Sequence, residues 1–454
     1  MKQIQIPAGA EYIIRELNNH GYEAYIVGGC VRDSLLGKTP NDWDITTSAK
    51  PQQVKEIFKR TIDTGIQHGT VTVLVDKKIL KGESCCEYAF EVTTYRVDGE
   101  YADHRRPTEV TFTASLEEDL KRRDFTINAM AYSPTKGVVD IFGGEQDLKD
   151  GVIKAVGVAQ DRFEEDALRI LRAVRFGAQL GFEIEEETKH AMTRLAENLR
   201  FISAERIQVE LTKLITSANP DRLIQAYELG LTRIFLPEFD AMMETEQNNP
   251  YHIYNVGEHT IKVMENIEPT QILRYAALLH DVAKPATKTT GADGVDHFYG
   301  HQDAGVSMAR DILKRLKLDN HTIDKTCLLV QWHDFGIDEV TMKGFRKFMG
   351  KLGRENFQDF MAIKKADMAG QSRYNSDGRL AALERLEAMY SKLIEENQCI
   401  NISEMELKGR DLIDMGVKPG VEMGTILKKL FDMVVDDPSL NDKEKLKNIV
   451  KEML

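Results

Sequence analysis

The sequence predicts an α/β head of about 145 residues followed by an almost wholly helical remainder. Three observations support this. Strand-like patterns fall only in the head: buried apolar runs at 24–27 and 71–75, and an alternating run at 89–94. In the alternating run Phe90 and Val92 point one way, and Glu91 and Thr93 the other. An Asp-Ile-Phe-Gly-Gly turn at 140–144 closes this unit, and 3.6-residue periodicity follows over 162–180, 186–199 and 204–215. Finally, seven of the eleven histidines lie between His252 and His333, which marks a separate functional segment.

With 454 residues the chain is long enough for two to four domains. A composition of 42% hydrophobic and 29% charged residues is that of a globular protein. No apolar run approaches the ~18 residues of a membrane span, and residues 1–10 carry no apolar secretory core, so a cytoplasmic location without a membrane partner is expected. Five cysteines without metal-type spacing (Cys30, Cys85, Cys86, Cys327, Cys399) are expected to be reduced thiols. The net charge of −13 argues mildly against a generally basic surface. Local basic clusters nevertheless stand at Arg105-Arg106 and at Lys121-Arg122-Arg123.

Two stretches carry the chemistry of the head. Gly28-Gly29 opens a predicted helix, where backbone can approach a phosphate closely, and Arg32 follows one turn in. Asp42 and Asp44 alternate; on a strand they share a face about 6.6 Å apart. Such a pair suits two Mg²⁺ ions, which lower the pKa of an attacking hydroxyl and neutralise a leaving pyrophosphate. Glu91 is the expected third carboxylate, as metal ligand or general base. Either motif alone is usually an ordinary turn. Their close succession, Gly-Gly-x-Val-Arg-Asp and then Asp-x-Asp-x-x-Thr, points to nucleotidyl transfer.

With these motifs in place, the chain resembles the class II tRNA nucleotidyltransferases (CCA-adding enzymes) and the bacterial poly(A) polymerases, which share a polymerase-β-like head. The resemblance rests on stretches 28–33, 35–37, 42–47, 69–71, 103–107, 123–129, 140–144 and 165–169, in family order across at least residues 20–215. It implies that Asp42 and Asp44 are metal ligands, and that Gly28, Gly29, Arg32, Arg123, Arg172 and Arg175 contact the nucleotide. It also implies that Asp166 and Arg169 read the base. The expected placement is side by side on a helix over 164–176. Adenine and cytosine both present an amino donor beside a ring-nitrogen acceptor. A fixed Asp accepting and a fixed Arg donating would therefore take A or C and refuse G or U. A charged, glycine-containing loop at 95–107 is of the length that, in the resembled family, accompanies complete C, C, A addition.

The second constellation is His259, His280-Asp281, His301, His333 and Asp367. Leu-Leu-His-Asp-Val-Ala-Lys at 278–284 resembles the signature of HD hydrolases. His259, His280, Asp281 and Asp367 are expected to hold one divalent ion, a transition metal or Mg²⁺, with His301 and His333-Asp334 supplying a second. Phosphoester hydrolysis is the implied activity. His252, His297 and His321 read as structural or peripheral.

The expected organisation is a nucleotidyltransferase head at 1–145, a helical neck and body at 146–250, an HD domain at 251–370 and a helical tail at 371–454. The expected partners are ATP, CTP and the tRNA acceptor arm. Rival readings are a poly(A) polymerase, a partial (A-adding or CC-adding) enzyme, and an HD phosphohydrolase whose head merely binds nucleotide.

Overall fold

A computed structural model describes residues 4–76, 89–98, 110–337 and 339–453. Cys85, Cys86, Arg105, Arg106 and most of the 95–107 loop lie outside the described residues. The chain divides into two compact units, Met1–Asp240 and Ala241–Leu454.

The first unit is built on a seven-stranded sheet. Its strands are β1 (Ala24–Val27), β2 (Ile45–Thr47), β3 (Thr61–Gly65), β4 (Thr70–Leu74), β5 (Ala89–Thr94), β8 (Met130–Ser133) and β9 (Gly137–Asp140). A separate pair, β6 (Arg96–Asp98) with β7 (Val110–Phe112), interrupts the chain order. The sheet runs β3-β4-β5-β2-β1-β8-β9. Only β2 and β5 are parallel neighbours; the other pairs are antiparallel. The alternation expected at 89–94 is present, with Phe90 and Val92 buried and Glu91 exposed. Apolar side chains from β1, Tyr95, Leu120 and Ala131 pack one face of the sheet.

The head does not stop at residue 145. That position lies inside the Gly144–Asp150 helix, and the amide of Thr126 still donates to the Lys154 carbonyl at 2.9 Å. The carboxylate of Asp140 caps this helix through the amides of Gly144 and Glu145, both at 2.8 Å. Gly144 is required by space: a Cβ there would stand 2.3 Å from the Thr126 carbonyl oxygen.

Beyond the sheet, Leu168–Leu180 packs on Ala204–Ile215. Leu168, Leu171 and Val174 face the core. The stretch expected as one helix over 162–180 is broken: Ala159–Glu165 ends at Asp166, whose backbone is extended, and the chain re-enters helix at Leu168. A carboxylate that accepts from the backbone two residues on competes with helical pairing, and the Asp166 side chain does this with the Leu168 amide at 3.1 Å.

The second unit is helical apart from a two-stranded hairpin, Thr289–Thr290 with Asp296–His297. Val256–Glu265, Gln271–Leu279, His301–Arg315, Asn320–Trp332 and Phe357–Gly370 pack on one another. Toward the C-terminus Gly409–Asp414, Val421–Asp436 and Lys443–Met453 enclose their own apolar core around Leu412, Leu430, Val434 and Leu446. The buried Arg346 guanidinium joins this core to the preceding helices, donating to the Val435 carbonyl at 2.7 Å and to Gln398 Oε1 at 2.9 Å. Among the described residues no helix is long and apolar enough to cross a membrane.

Candidate active sites of the two units

In the head, Gly28 caps the Gly29–Leu35 helix at φ +83°, a conformation that favours glycine. A Cβ on Gly28 would lie 3.0 Å from Arg123 Nη1, so the missing side chain is what admits the guanidinium. Arg32 is held by its neighbours: Nε donates to Asp33 Oδ1 at 2.8 Å and Nη1 to Asn128 Oδ1 at 2.7 Å.

Asp42 and Asp44 stand in the segment leading into β2, just short of the strand itself, and both are exposed. Asp44 is fixed through its backbone, its carbonyl accepting from the Val27 amide at 3.0 Å. Since Ile45 pairs with Val92 in parallel register, Asp44 comes beside Glu91 on adjacent strands. The Asp44 carboxyl is held above its ordinary value. Desolvation in the cleft is the main cause, Glu91 and Asp42 add like-charge repulsion, and Arg123 opposes the rise. Three acids facing one compensating cation form a site whose repulsion a divalent ion relieves. They do not, however, converge to a tight ligand set: among the described residues the only groups of three ligand atoms all within 4.8 Å lie in the second unit.

Arg123 also lines a pocket of about 220 Å³, with Arg122, Asp124, Asp166, Arg169, Arg172 and Arg206. Asp166 and Arg169 both face it, but not as neighbours on one helix. Asp166, in the break, accepts a two-point contact from Arg206, at 3.2 and 2.7 Å. Arg169 is buried and held by Glu165 at 2.6 Å and by the carbonyls of Arg162 and Arg122 at 3.0 and 2.7 Å. Both groups are therefore pre-oriented by partners other than each other.

Arg172 is clamped onto the buried Asp124 carboxylate at 2.6 and 2.8 Å. Burial pushes the Asp124 carboxyl up, but the Arg172 charge and the Asn128 hydrogen bond outweigh it and hold the group well below the usual range. Arg175 turns away from this pocket. Its Nε donates to Glu210 at 2.8 Å, and its guanidinium lies 3.5 Å from the Phe176 ring centroid. Of the expected nucleotide contacts, Arg175 is thus the one placed in the packing between helices.

Arg206, Asp124 and Asn128 were not singled out from the sequence. Asp124 and Asn128 stand inside the quoted 123–129 motif. Arg206 had no local signal, because its partner lies 40 residues away.

In the second unit all six expected residues converge. His259, His280 and Asp367 form one group, and Asp281, His301 and His333 another. Asp281 faces both: Oδ2 is 3.1 Å from His280 Nε2 and 3.7 Å from His259 Nε2, while Oδ1 is 3.5 Å from Nε2 of both His301 and His333. His259 Nε2 is 3.0 Å from Asp367 Oδ1.

The imidazoles are oriented by their far sides. Nδ1 of His259, His280, His301 and His333 donates to the carbonyls of Gly370, Ala277, Phe298 and Val330 at 3.2, 2.8, 2.8 and 2.7 Å. A carbonyl only accepts, so each Nδ1 bears the proton and each Nε2 points inward. Two Nε2–Nε2 approaches result: His259 to His280 at 3.3 Å and His301 to His333 at 3.2 Å. Facing lone pairs at that distance call for a cation between or beside them. Buried nitrogen and carboxylate donors fit a divalent metal. Burial alone would raise the Asp281 carboxyl, but His280 and Lys284, whose Nζ is 2.7 Å away, hold it far below the ordinary value.

This cluster floors a cavity of about 570 Å³. His252 and His297, expected to be peripheral, line it with Lys284, Tyr299 and Arg379. Burial and the Lys284 charge push the His252 imidazole down to about 3, so it is a neutral wall at physiological pH.

The chain is similar to known proteins in three stretches and along nearly its whole length. Residues 24–154 match the poly A polymerase head domain, 181–243 the probable RNA and SrmB-binding site of polymerase A, and 251–367 the HD domain. Head and HD domains of these kinds are metal-dependent. The CCA-adding enzyme of Leuconostoc mesenteroides is 51% identical over 51% of this chain and 55% of its own length, so in that alignment the chain spans about half of its relative. The CCA-adding enzyme of Levilactobacillus brevis is 35% identical over 96% of both chains. The Bacillus stearothermophilus CCA-adding enzyme, solved in complex with CTP, superposes with a TM-score of 0.70 at 30% identity, covering 99% of this chain and 100% of that one. Likeness along nearly the whole length, in sequence and in fold, shows that this chain belongs to the family of CCA-adding enzymes.

Proposed function

We propose that this enzyme adds C, C and A to the 3′ ends of tRNA from CTP and ATP without a nucleic-acid template, and that its HD domain is a phosphohydrolase. The observation that carries the first part is the arginine-rich pocket in which Asp166 and Arg169 are each locked from behind. A carboxylate held as acceptor and a guanidinium held as donor match the shared edge of cytosine and adenine and oppose that of uracil and guanine. Arg123 and Arg172 supply positive charge for the triphosphate, with Arg32 and the Gly28-Gly29 backbone on its other side. Asp42 and Asp44, with Glu91 as third carboxylate, would hold Mg²⁺, whose hard-cation chemistry suits carboxylate oxygens and activates a terminal hydroxyl while screening pyrophosphate. The partner is the tRNA acceptor arm, gripped through backbone and shape, and the setting is the cytoplasm.

The HD part is carried by the inward-facing Nε2 atoms and the doubly placed Asp281. Mixed imidazole and carboxylate donors favour a transition ion such as Mn²⁺ or Ni²⁺ over Mg²⁺.

The test is incorporation on tRNA lacking its terminal CCA, with each labelled triphosphate offered singly and in pairs. A CCA enzyme stops after three nucleotides. Long A tracts on unrelated RNA would mark a poly(A) polymerase, arrest after two C residues or addition of A alone a partial enzyme, and absence of incorporation a head that only binds nucleotide.

A further inference from the structure

Tyr299 is 77% exposed, the most open aromatic side chain of the described residues, yet it lines the HD cavity two positions before His301. Its ring is not loose. It stacks on His297 with centroids 5.3 Å apart and planes 9° from parallel, and its hydroxyl is 3.4 Å from His297 Nδ1. His297 in turn is set by the Thr289–Thr290/Asp296–His297 hairpin. The carbonyl of Phe298, between the two rings, accepts from His301 Nδ1. One short stretch therefore holds both an oriented imidazole of the metal-type cluster and a flat aromatic face at the rim of the same cavity. Another wall carries cationic and aromatic groups together: Tyr251 lies beneath the Arg379 guanidinium, 5.8 Å from ring centroid to Cζ. Lys284 and Lys364 also line the cavity.

A phosphate-handling floor with a braced, open ring at its lip has the two parts needed to take a nucleotide: charge for the phosphate and a π-face for the base. We propose that Tyr299, backed by His297, is a base-stacking ledge that makes the HD site selective for nucleoside phosphates, including the terminal nucleotide of an RNA, over small aliphatic phosphoesters. The proposal rests on the phosphohydrolase reading. In that reaction water delivers its oxygen to phosphorus, the P–O ester bond breaks, and the departing hydroxyl takes the proton; the ledge acts only in binding.

The test compares the full-length wild type, Tyr299→Ala, Tyr299→Phe and His297→Ala on adenosine 3′-monophosphate and glycerol 2-phosphate, with Mn²⁺ present. Tyr299→Ala should raise KM for the nucleotide about tenfold or more, the scale of losing one base stack. It should leave kcat, and both constants for glycerol phosphate, unchanged. Tyr299→Phe should behave as wild type, and His297→Ala should fall between. Calorimetric titration with the same nucleotide should show a matching loss of affinity in Tyr299→Ala; binding at the head is common to all four proteins and cancels. If the wild type hydrolyses neither ester, the phosphohydrolase reading fails, and the titration still decides the ledge. Equal affinity in wild type and Tyr299→Ala, no measurable nucleotide binding in the wild type, or an equal loss on both esters, overturns it.

Discussion

The two sites prepare their acidic groups in opposite ways. In the head, Asp42, Asp44 and Glu91 are solvent-accessible and are brought together by the neighbouring central strands β2 and β5 without converging. In the HD domain Asp281 sits 2% exposed among four imidazoles already aimed inward. Open carboxylates bind a divalent ion weakly and gain the remaining ligands from an incoming triphosphate, so metal and nucleotide arrive together. Buried, second-shell-oriented donors form a site before any substrate appears. The contrast is between exposed acids that do not converge and a buried, preassembled cluster of donors in the same chain.

The largest expected effect separates them. Asp42→Ala should reduce nucleotide incorporation by about a thousandfold or more, the scale of several kcal/mol of transition-state charge stabilisation. It should leave HD hydrolysis intact. Asp281→Asn should do the reverse. Loss of both activities in either variant, measured on tRNA and on a phosphoester side by side, would break the distinction.

Metal removal sharpens it. Without nucleotide, Mn²⁺ at a hundred times its Kd should raise the melting temperature of the chelator-treated protein by about 5 °C or more. Asp281→Asn should abolish that shift. Mg²⁺ should protect the head only once CTP or ATP is added; a similar rise with Mg²⁺ alone in Asp281→Asn would show that the head is preformed too.

A smaller effect concerns base choice. Arg206→Ala frees Asp166 from its two-point hold. Discrimination of CTP against UTP, as a ratio of kcat/KM, should fall about tenfold, the scale of one charge-assisted hydrogen bond. An unchanged ratio would mean that Asp166 is positioned without Arg206.

The last effect is read in stability rather than in activity, through Asp124→Asn. Because the Asp124 carboxyl is depressed in the fold, its contribution to stability is complete above the ordinary carboxylate value of about 3.9. That contribution is lost as pH falls below this value toward the folded one. Asp124→Asn should therefore flatten the acid limb of a stability–pH curve below about pH 4; a wild-type acid limb in the variant would remove Asp124 as its source.

Much of this was legible in the chain. The strands at 24–27 and 89–94 and the helix at 204–215 follow from patterns of burial that need no distant information. The six candidate HD residues were legible because groups of ligating type fall within about one hundred positions, with His280 and Asp281 adjacent at the end of an apolar helix. The break at Asp166 was not. Periodicity continues across it, and the competing bond from its side chain to the Leu168 amide leaves no mark in composition. The Arg175 partnership was not legible for a related reason. It shares a stripe with Arg169 and Arg172, but the acid that claims it, Glu210, comes from another helix.

By itself, then, the sequence determined the chemistry: which donors exist, how they alternate, and that the chain carries one set of acidic groups in its head and one set rich in imidazole further on. Those are properties of side chains and of spacing within a few residues. Only the tertiary structure decided the partnerships, Asp166 with Arg206, Arg32 with Asn128 and Asp281 between two histidine groups. Charged and polar groups choose among many possible partners, and the choice depends on which of them packing brings within about 3 Å.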